Sequence, residues 1–253
     1  MDIATLGGLI VGVGAVIVAF VLEGGHLSAL FHGPAMIIVI FGTLGAATVT
    51  TSYRIFGNIP KLLNIAFFSR AVDSINLIDQ IVRLAEKARR EGILGLERDL
   101  ENLKNPFFHK AVQLVVDGTE VTMLRNILET EMAYINQRHK TGILFFQKLG
   151  GFSPTMGIIG TVLGLIHALS QVDEASKIAG AIAGAFIATL WGIAMANLCY
   201  LPISDKLRFR HQQETKTLEL VLEGMISIQS GENPRVIRNK LLSFVNPNQR
   251  NEK

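Results

Sequence analysis

Thr161 and Thr189 each stand in the middle of a long apolar run. Hydroxyl oxygens suit hard cations, so two facing threonines could line a path for a partly dehydrated ion. The alternative is local, because a threonine in a helix can bond the carbonyl four residues back. Thr161 shares a helical line with Gly157, and Thr189 with Ala181 and Ala185. His167 is the only histidine in the four apolar runs of the chain, and Asp, Glu, Lys and Arg are absent from them. A path for protons or metal cations through a bilayer usually contains an ionisable residue. A lone histidine is a weak signal for one, since such a residue more often packs or hydrogen-bonds to a neighbouring helix. If this chain helps to move cations, the titrating carboxylate comes from another polypeptide.

Two prolines form a second matched pair. Pro154 and Pro202 lie near the same end of the third and fourth runs. Proline within a helix removes a backbone bond and can kink or hinge it. Pro154, further inside, is expected to bend its helix, whereas Pro202 either hinges its helix or simply ends it. Small residues recur every fourth position in the fourth run at Gly180, Gly184, Ala188, Gly192 and Ala196. The third run offers Gly157, Gly160, Gly164 and Ala168, so close packing of these two helices is expected.

These residues need elements to hold them, and composition says which. Apolar residues make up 49% of the 253 residues and charged ones 18%. Soluble domains carry about 25% charged residues. The mean hydropathy of +0.37 agrees with membrane spans joined to a polar remainder. Four stretches approach the roughly 20 residues that cross a bilayer: Ile3 to Leu22, Pro34 to Ser52, Leu149 to Val172, and Ile178 to Ile203. The first has Asp2 where a cleaved leader would be basic, so it reads as a retained span. At 1.5 Å per residue Thr161 and Thr189 lie about 18 and 21 Å from the inner ends of their runs, at similar mid-membrane depth.

Of the 24 Lys and Arg residues, 14 lie between the second and third runs, nine after the fourth, and one, Lys177, between the third and fourth. Basic loops stay in the cytoplasm. Residues 53–148 and the tail 204–253 are therefore expected inside, together with the N-terminus. The net charge of +3 does not point to nucleic acid. Cys199 is the only cysteine, which excludes an internal disulfide, a CxxC pair and a cysteine zinc site.

The inner part reads as helices. Asp73 or Ser74 can cap a helix carrying Ile75, Ile78, Ile81, Val82 and Leu84, with Gly92 to end it. Asn105-Pro106 is a cap followed by proline at the first helical position, and Gly118 closes that helix. From Thr119 neither Pro nor Gly intervenes until Gly142, so the next helix can run into the third span. A helix from about Ser204 ends near Gly231, and Asn233-Pro234 starts a short last one. No strand alternation is visible. The fold class is all-α, with four transmembrane helices (residues 1–52 and 149–203) and helical cytoplasmic parts.

Five stretches carry a resemblance to a known family. They are KARREGILGLERDLEN from Lys87 to Asn102, SPTMGIIGTVLGLIHALS from Ser153 to Ser170, ATLWGI from Ala188 to Ile193, LPISDKL from Leu201 to Leu207 and EGMISIQSGENPRVI from Glu223 to Ile237. With the four-span plan, the chain resembles the MotA/PomA family, the A subunits of the bacterial flagellar stator, over essentially its whole length. The resemblance implies an inner-membrane ring, taken to be five protomers, around two single-span MotB/PomB-like B subunits that supply the ion-carrying aspartate. It implies no catalysis and no cofactor beyond the transported cation. It also implies that the inner face drives the rotor protein FliG.

The resemblance assigns residues one at a time. Arg89 and Glu97 match the rotor-contacting arginine and glutamate, and Arg90 matches a second basic position of sodium-type members. Their charges flank a bend marked by Gly92 and Gly95. Exposed charges suit weak, exchanging contacts, each pair being worth about 0–1 kcal/mol. Pro154 and Pro202 match prolines implicated in coupling ion flow to movement. Thr189 matches a threonine facing the B-subunit aspartate, and Thr161 a threonine typical of sodium-type members. Sodium is thus the favoured ion, with the proton as alternative. Gly151 stands where some sodium-type members have aspartate, and Arg98 where they can carry an acid. Three rivals share parts of this pattern: an ExbB/TolQ-like energiser of outer-membrane processes, a self-contained channel or transporter, and a structural scaffold. The energiser typically has three spans, and a transporter would need its own charged or broken-helix site.

Overall fold

The computed structural model describes residues 3–68, 73–171 and 175–247. All the described regular structure is helical, as the all-α reading requires: α1 (Ile3–Leu22), α2 (Gly33–Val49), α3 (Arg54–Phe68), α4 (Ser74–Glu91), α5 (Pro106–Val116), α6 (Val121–Leu169), α7 (Ala175–Met195), α8 (Leu201–Gln229) and α9 (Pro234–Leu242). A 3-10 segment covers Ile93–Asn102, and a π-helical turn, Ala196–Tyr200, joins α7 to α8. The chain divides into two compact units, one of residues 1–70 and 140–209, the other of residues 71–139 and 210–253.

In the second unit the expected caps are in place. Asp73 accepts from the amides of Ile75 and Asn76 at 3.0 and 3.3 Å. Asn105 accepts from Phe107 and Phe108 at 2.9 and 3.1 Å, with Pro106 at the position that has no amide partner to lose. Asn233 does the same for α9 through Arg235. Gly92, Gly118 and Gly231 take positive φ at the helix ends. The core joins Ile78 and Ile81 of α4, Leu96, Val112 of α5, Leu124 and Leu128 of α6, Met225 of α8, and Ile237 and Leu241 of α9. Each such side chain contributes about 1.5–3 kcal/mol on burial. Lys240 of α9 is held by Glu223 at 2.5 Å and Glu232 at 3.6 Å, and it donates to Ser227 at 3.1 Å. The Glu223 carboxylate is the main reason that the Lys240 ammonium loses its proton only above its usual range.

In the first unit, Ala47, Ile55, Ala66, Ile143, Phe145, Phe146, Leu149, Tyr200, Ile203 and Leu207 form the core. Among the described residues, two helical stretches are long and apolar enough to cross a membrane unaided, Val121–Leu169 and Lys177–Gln229. Helix α1 is apolar throughout, with 20 residues, and α2 has 17 before the chain bends by 114° into α3. The α1–α2 connection lies along α7 and not level with its first residue. Gly184 faces the His32 ring, and the Trp191 indole donates to the Leu30 carbonyl at 2.7 Å. These residues are about 14 and 24 Å along α7 from Ala175.

One expectation needs correction. Pro202 does not end a helix, nor does a new one start near Ser204: Pro202 is the second residue of α8, which follows the π turn without a break. The amide of Leu201 bonds the Ala196 carbonyl, five residues back. That wider turn gives room where a proline ring would meet the carbonyl four residues before it. Helix α6 likewise runs unbroken through Pro154 for 49 residues, as the absence of Pro and Gly after Thr119 suggested for its first half.

Candidate functional site

The α6/α7 crossing is built from missing side chains. A Cβ added to Gly157 would lie 2.9 Å from the Ala188 carbonyl, and one on Gly192 would lie 3.0 Å from the Gly157 Cα. Added to Gly160 or Gly164, it would fall 2.7 or 2.8 Å from the Cβ of Ala188 or Ala185. The four small positions thus let the backbones touch, which is how helices associate where no water drives them together.

This approach brings Thr161 and Thr189 together. Their hydroxyl oxygens are in direct hydrogen-bond contact, and the Thr161 oxygen is also 3.0 Å from the carbonyls of both Gly157 and Ala185. The two sequence readings meet here: Thr161 reaches the carbonyl four residues back and its opposite number on α7. Four oxygens share two hydroxyl protons. Lone pairs are left over, and those can face a cation or a protonated group presented from outside the chain. Among the described residues no cluster of three or more His, Cys, Asp or Glu could hold a metal. By sequence, residues 149–172 and 178–203 contain no Asp or Glu.

Below the pair, Ser153 is buried, and its hydroxyl donates to the Gly192 carbonyl at 2.9 Å. Sequence reasoning missed this residue; its only signal was a hydroxyl on the helical line of Gly157 and Gly160. Pro154 follows it directly, so the Gly150 carbonyl loses its usual partner on α6. Pro202 is exposed just beyond the π turn. His167 does not join the threonines. It is exposed and 3.2 Å from the Gln171 side chain, four residues on, and among the described residues it is not packed against a neighbouring helix.

Arg89, Arg90 and Glu97 are all exposed in the second unit. The arginines occupy the last turn of α4, where cations favour the helix dipole. Gly92 turns the chain with φ 81° and ψ 166°, a conformation almost confined to glycine. Glu97 follows in the 3-10 segment, which Leu96 and Leu100 anchor from below. Lys87 and Asp99 pair across the bend at 2.8 Å. Among the described residues neither Arg89 nor Glu97 has an ion-pair partner, so both charges are offered outward. Gly95 is needed for space: a Cβ there would lie 2.8 Å from that of Glu91.

Comparison with known proteins extends over the whole chain. Residues 6–92 match the model described as motility protein A N-terminal, and residues 99–220 that of the MotA/TolQ/ExbB proton channel family. Chemotaxis protein PomA of Vibrio alginolyticus is 37% identical, the match covering 99% of this chain and 98% of that one. Among solved structures, MotAB of C. jejuni is similar with a TM-score of 0.92 and 30% identity, covering 98% of this chain and 97% of that one. The flagellar MotAB stator complex of Bacillus subtilis gives a TM-score of 0.90 and 34% identity, covering 97% and 96%.

Proposed function

The chain belongs to the MotA/PomA family of flagellar stator A subunits, which are membrane ion-channel components and not enzymes, and from that premise we propose how it works. It couples inward cation flow to rotation of a ring of A subunits around a MotB-like partner. The observation that carries this reading is the contact of Thr161 with Thr189 in apolar runs, residues 149–172 and 178–203, that contain no carboxylate. Those oxygens can hand a cation to and from an acid, and the acid is the B subunit's. That the similar solved structures are MotAB complexes supports such a partner and an oligomer. A ring of five, four spans with both termini inside, and FliG as the rotor contact of Arg89, Arg90 and Glu97 complete the proposal. The distribution of Lys and Arg supports the orientation.

Movement passes through the two helices that carry the threonines, since each continues beyond the apolar region as α6 or α8. Pro154 and Pro202 weaken the backbone bonding of those helices near the same end, which makes them the hinges.

Sodium is the coupling ion in this reading, because Thr161 adds a hydroxyl oxygen where an alkyl group would give none. The test is swimming speed in cells that carry this chain and its B partner as their sole stator. At a fixed proton gradient, speed rises with external sodium. Speed that follows the proton gradient and ignores sodium refutes the ion assignment.

A further inference from the structure

Glycine contacts let α6 and α7 approach, but they carry no directional bond, and a slip of one residue along α6 would turn Thr161 by about 100° away from Thr189. One bond outside the threonine cluster opposes such a slip. Ser153 is 0% exposed, and its hydroxyl donates to the Gly192 carbonyl at 2.9 Å. The main chains are equally close there, since a Cβ on Gly192 would fall 2.7 Å from the Ser153 carbonyl oxygen. Side chains lean toward the N-terminus of their own helix. Thr161 therefore leans toward the Ser153 end and Thr189 away from it, so the two hydroxyls meet only in the register that this bond selects.

The bond also lies where both helices are least able to fix themselves. Pro154, the next residue of α6, withdraws one backbone donor. On the other helix Gly192 lies four residues before the π turn that starts at Ala196. We infer that Ser153 is a positioning residue of the ion pathway: by tying the Gly192 carbonyl it sets the α6/α7 register that holds Thr161 against Thr189. The functional consequence rests on the reading of the threonine pair as part of that pathway, while the register claim stands by itself.

The test uses the full chain with its B partner in native membranes, in a Cys199→Ala background. Thr161→Cys and Thr189→Cys are introduced together and oxidised with iodine. The disulfide forms with Ser153 present, and its yield falls by about 5-fold or more with Ser153→Ala, as expected for the loss of a buried hydrogen bond. If Ser153→Ala does not accumulate, Ser153→Thr and Ser153→Val are compared, since they match in shape and differ in the hydroxyl. Threonine keeps the cross-link and valine loses it. Equal yields with and without the hydroxyl overturn the inference. A second readout uses the native threonines: Ser153→Ala raises the external cation concentration for half-maximal swimming speed and leaves the speed at saturating cation unchanged. A cross-link that falls while cation dependence stays the same upholds the register claim and refutes the threonine pathway.

Discussion

Gly157 of α6 and Gly192 of α7 cross backbone to backbone, so that a methyl group built on Gly192 would stand 3.0 Å from the Gly157 Cα. Neither main chain can give way like a flexible side chain. Gly157→Ala and Gly192→Ala are each expected to destabilise the protein by about 1–3 kcal/mol, the range of an overpacked core. Gly151→Ala is the control, because nothing lies within 4 Å of a Cβ there. Thermal unfolding of the detergent-solubilised complex measures the difference. Equal midpoints for Gly192→Ala and Gly151→Ala would show that the crossing is looser than described.

Gly92 makes the same kind of demand through its backbone. Its φ of 81° and ψ of 166° set the angle at which Arg89 and Arg90 face Glu97. Gly92→Ala is expected to cost about 1–3 kcal/mol through strain at that position. It should lower motility at unchanged membrane abundance. Full motility with Gly92→Ala would detach the bend from rotor contact.

Charge reversal addresses the proposed rotor contact directly. Arg89→Glu and Glu97→Arg should each impair motility while leaving protein level and conductance intact, because neither residue has an ion-pair partner of its own among those described. The effect should shrink as ionic strength rises, because salt screens both the native attraction and the introduced repulsion. Indifference of motility to both reversals would favour a passive scaffold.

Lys240 gives the second unit a pH limit. Its folded-state proton affinity is raised above the ordinary lysine value of 10.5, first by Glu223. A raised lysine contributes stability that is fully present below its unfolded value and fades as pH climbs through the folded one. The thermal midpoint should therefore hold through neutral pH and drop above about pH 10.5. Lys240→Met should remove that part of the alkaline drop. An alkaline drop of the same size in Lys240→Met would take the pair out of the stability account.

The legible parts of this fold are those where one local signal decides the structure. Asp73, Asn105 and Asn233 announce their helices because each accepts from amides only two or three positions further along its own chain. The run after Thr119 foretells a continuous α6 because nothing in it breaks a helix. Where bonding depends on another element, the sequence is silent or misleading. Helix α3 is hidden by Pro60, which it contains seven residues in. Continuity through Pro202 depends on a π turn, and no residue type marks such a turn. The Ser153–Gly192 bond joins positions 39 apart, and the depth of the α1–α2 connection shows only through contacts such as Trp191 with Leu30. At the site itself, the two threonines were findable by their depth alone, but their contact depended on the glycines that face each other across the crossing.

The central claim is that these apolar helices borrow their ion-accepting carboxylate from a second polypeptide. Ion flux into liposomes measures it most directly, with the purified chain alone and with its aspartate-bearing B partner. Flux is expected only from the complex, and it is abolished when the partner's aspartate is replaced by asparagine. Sustained flux through the chain alone would contradict it.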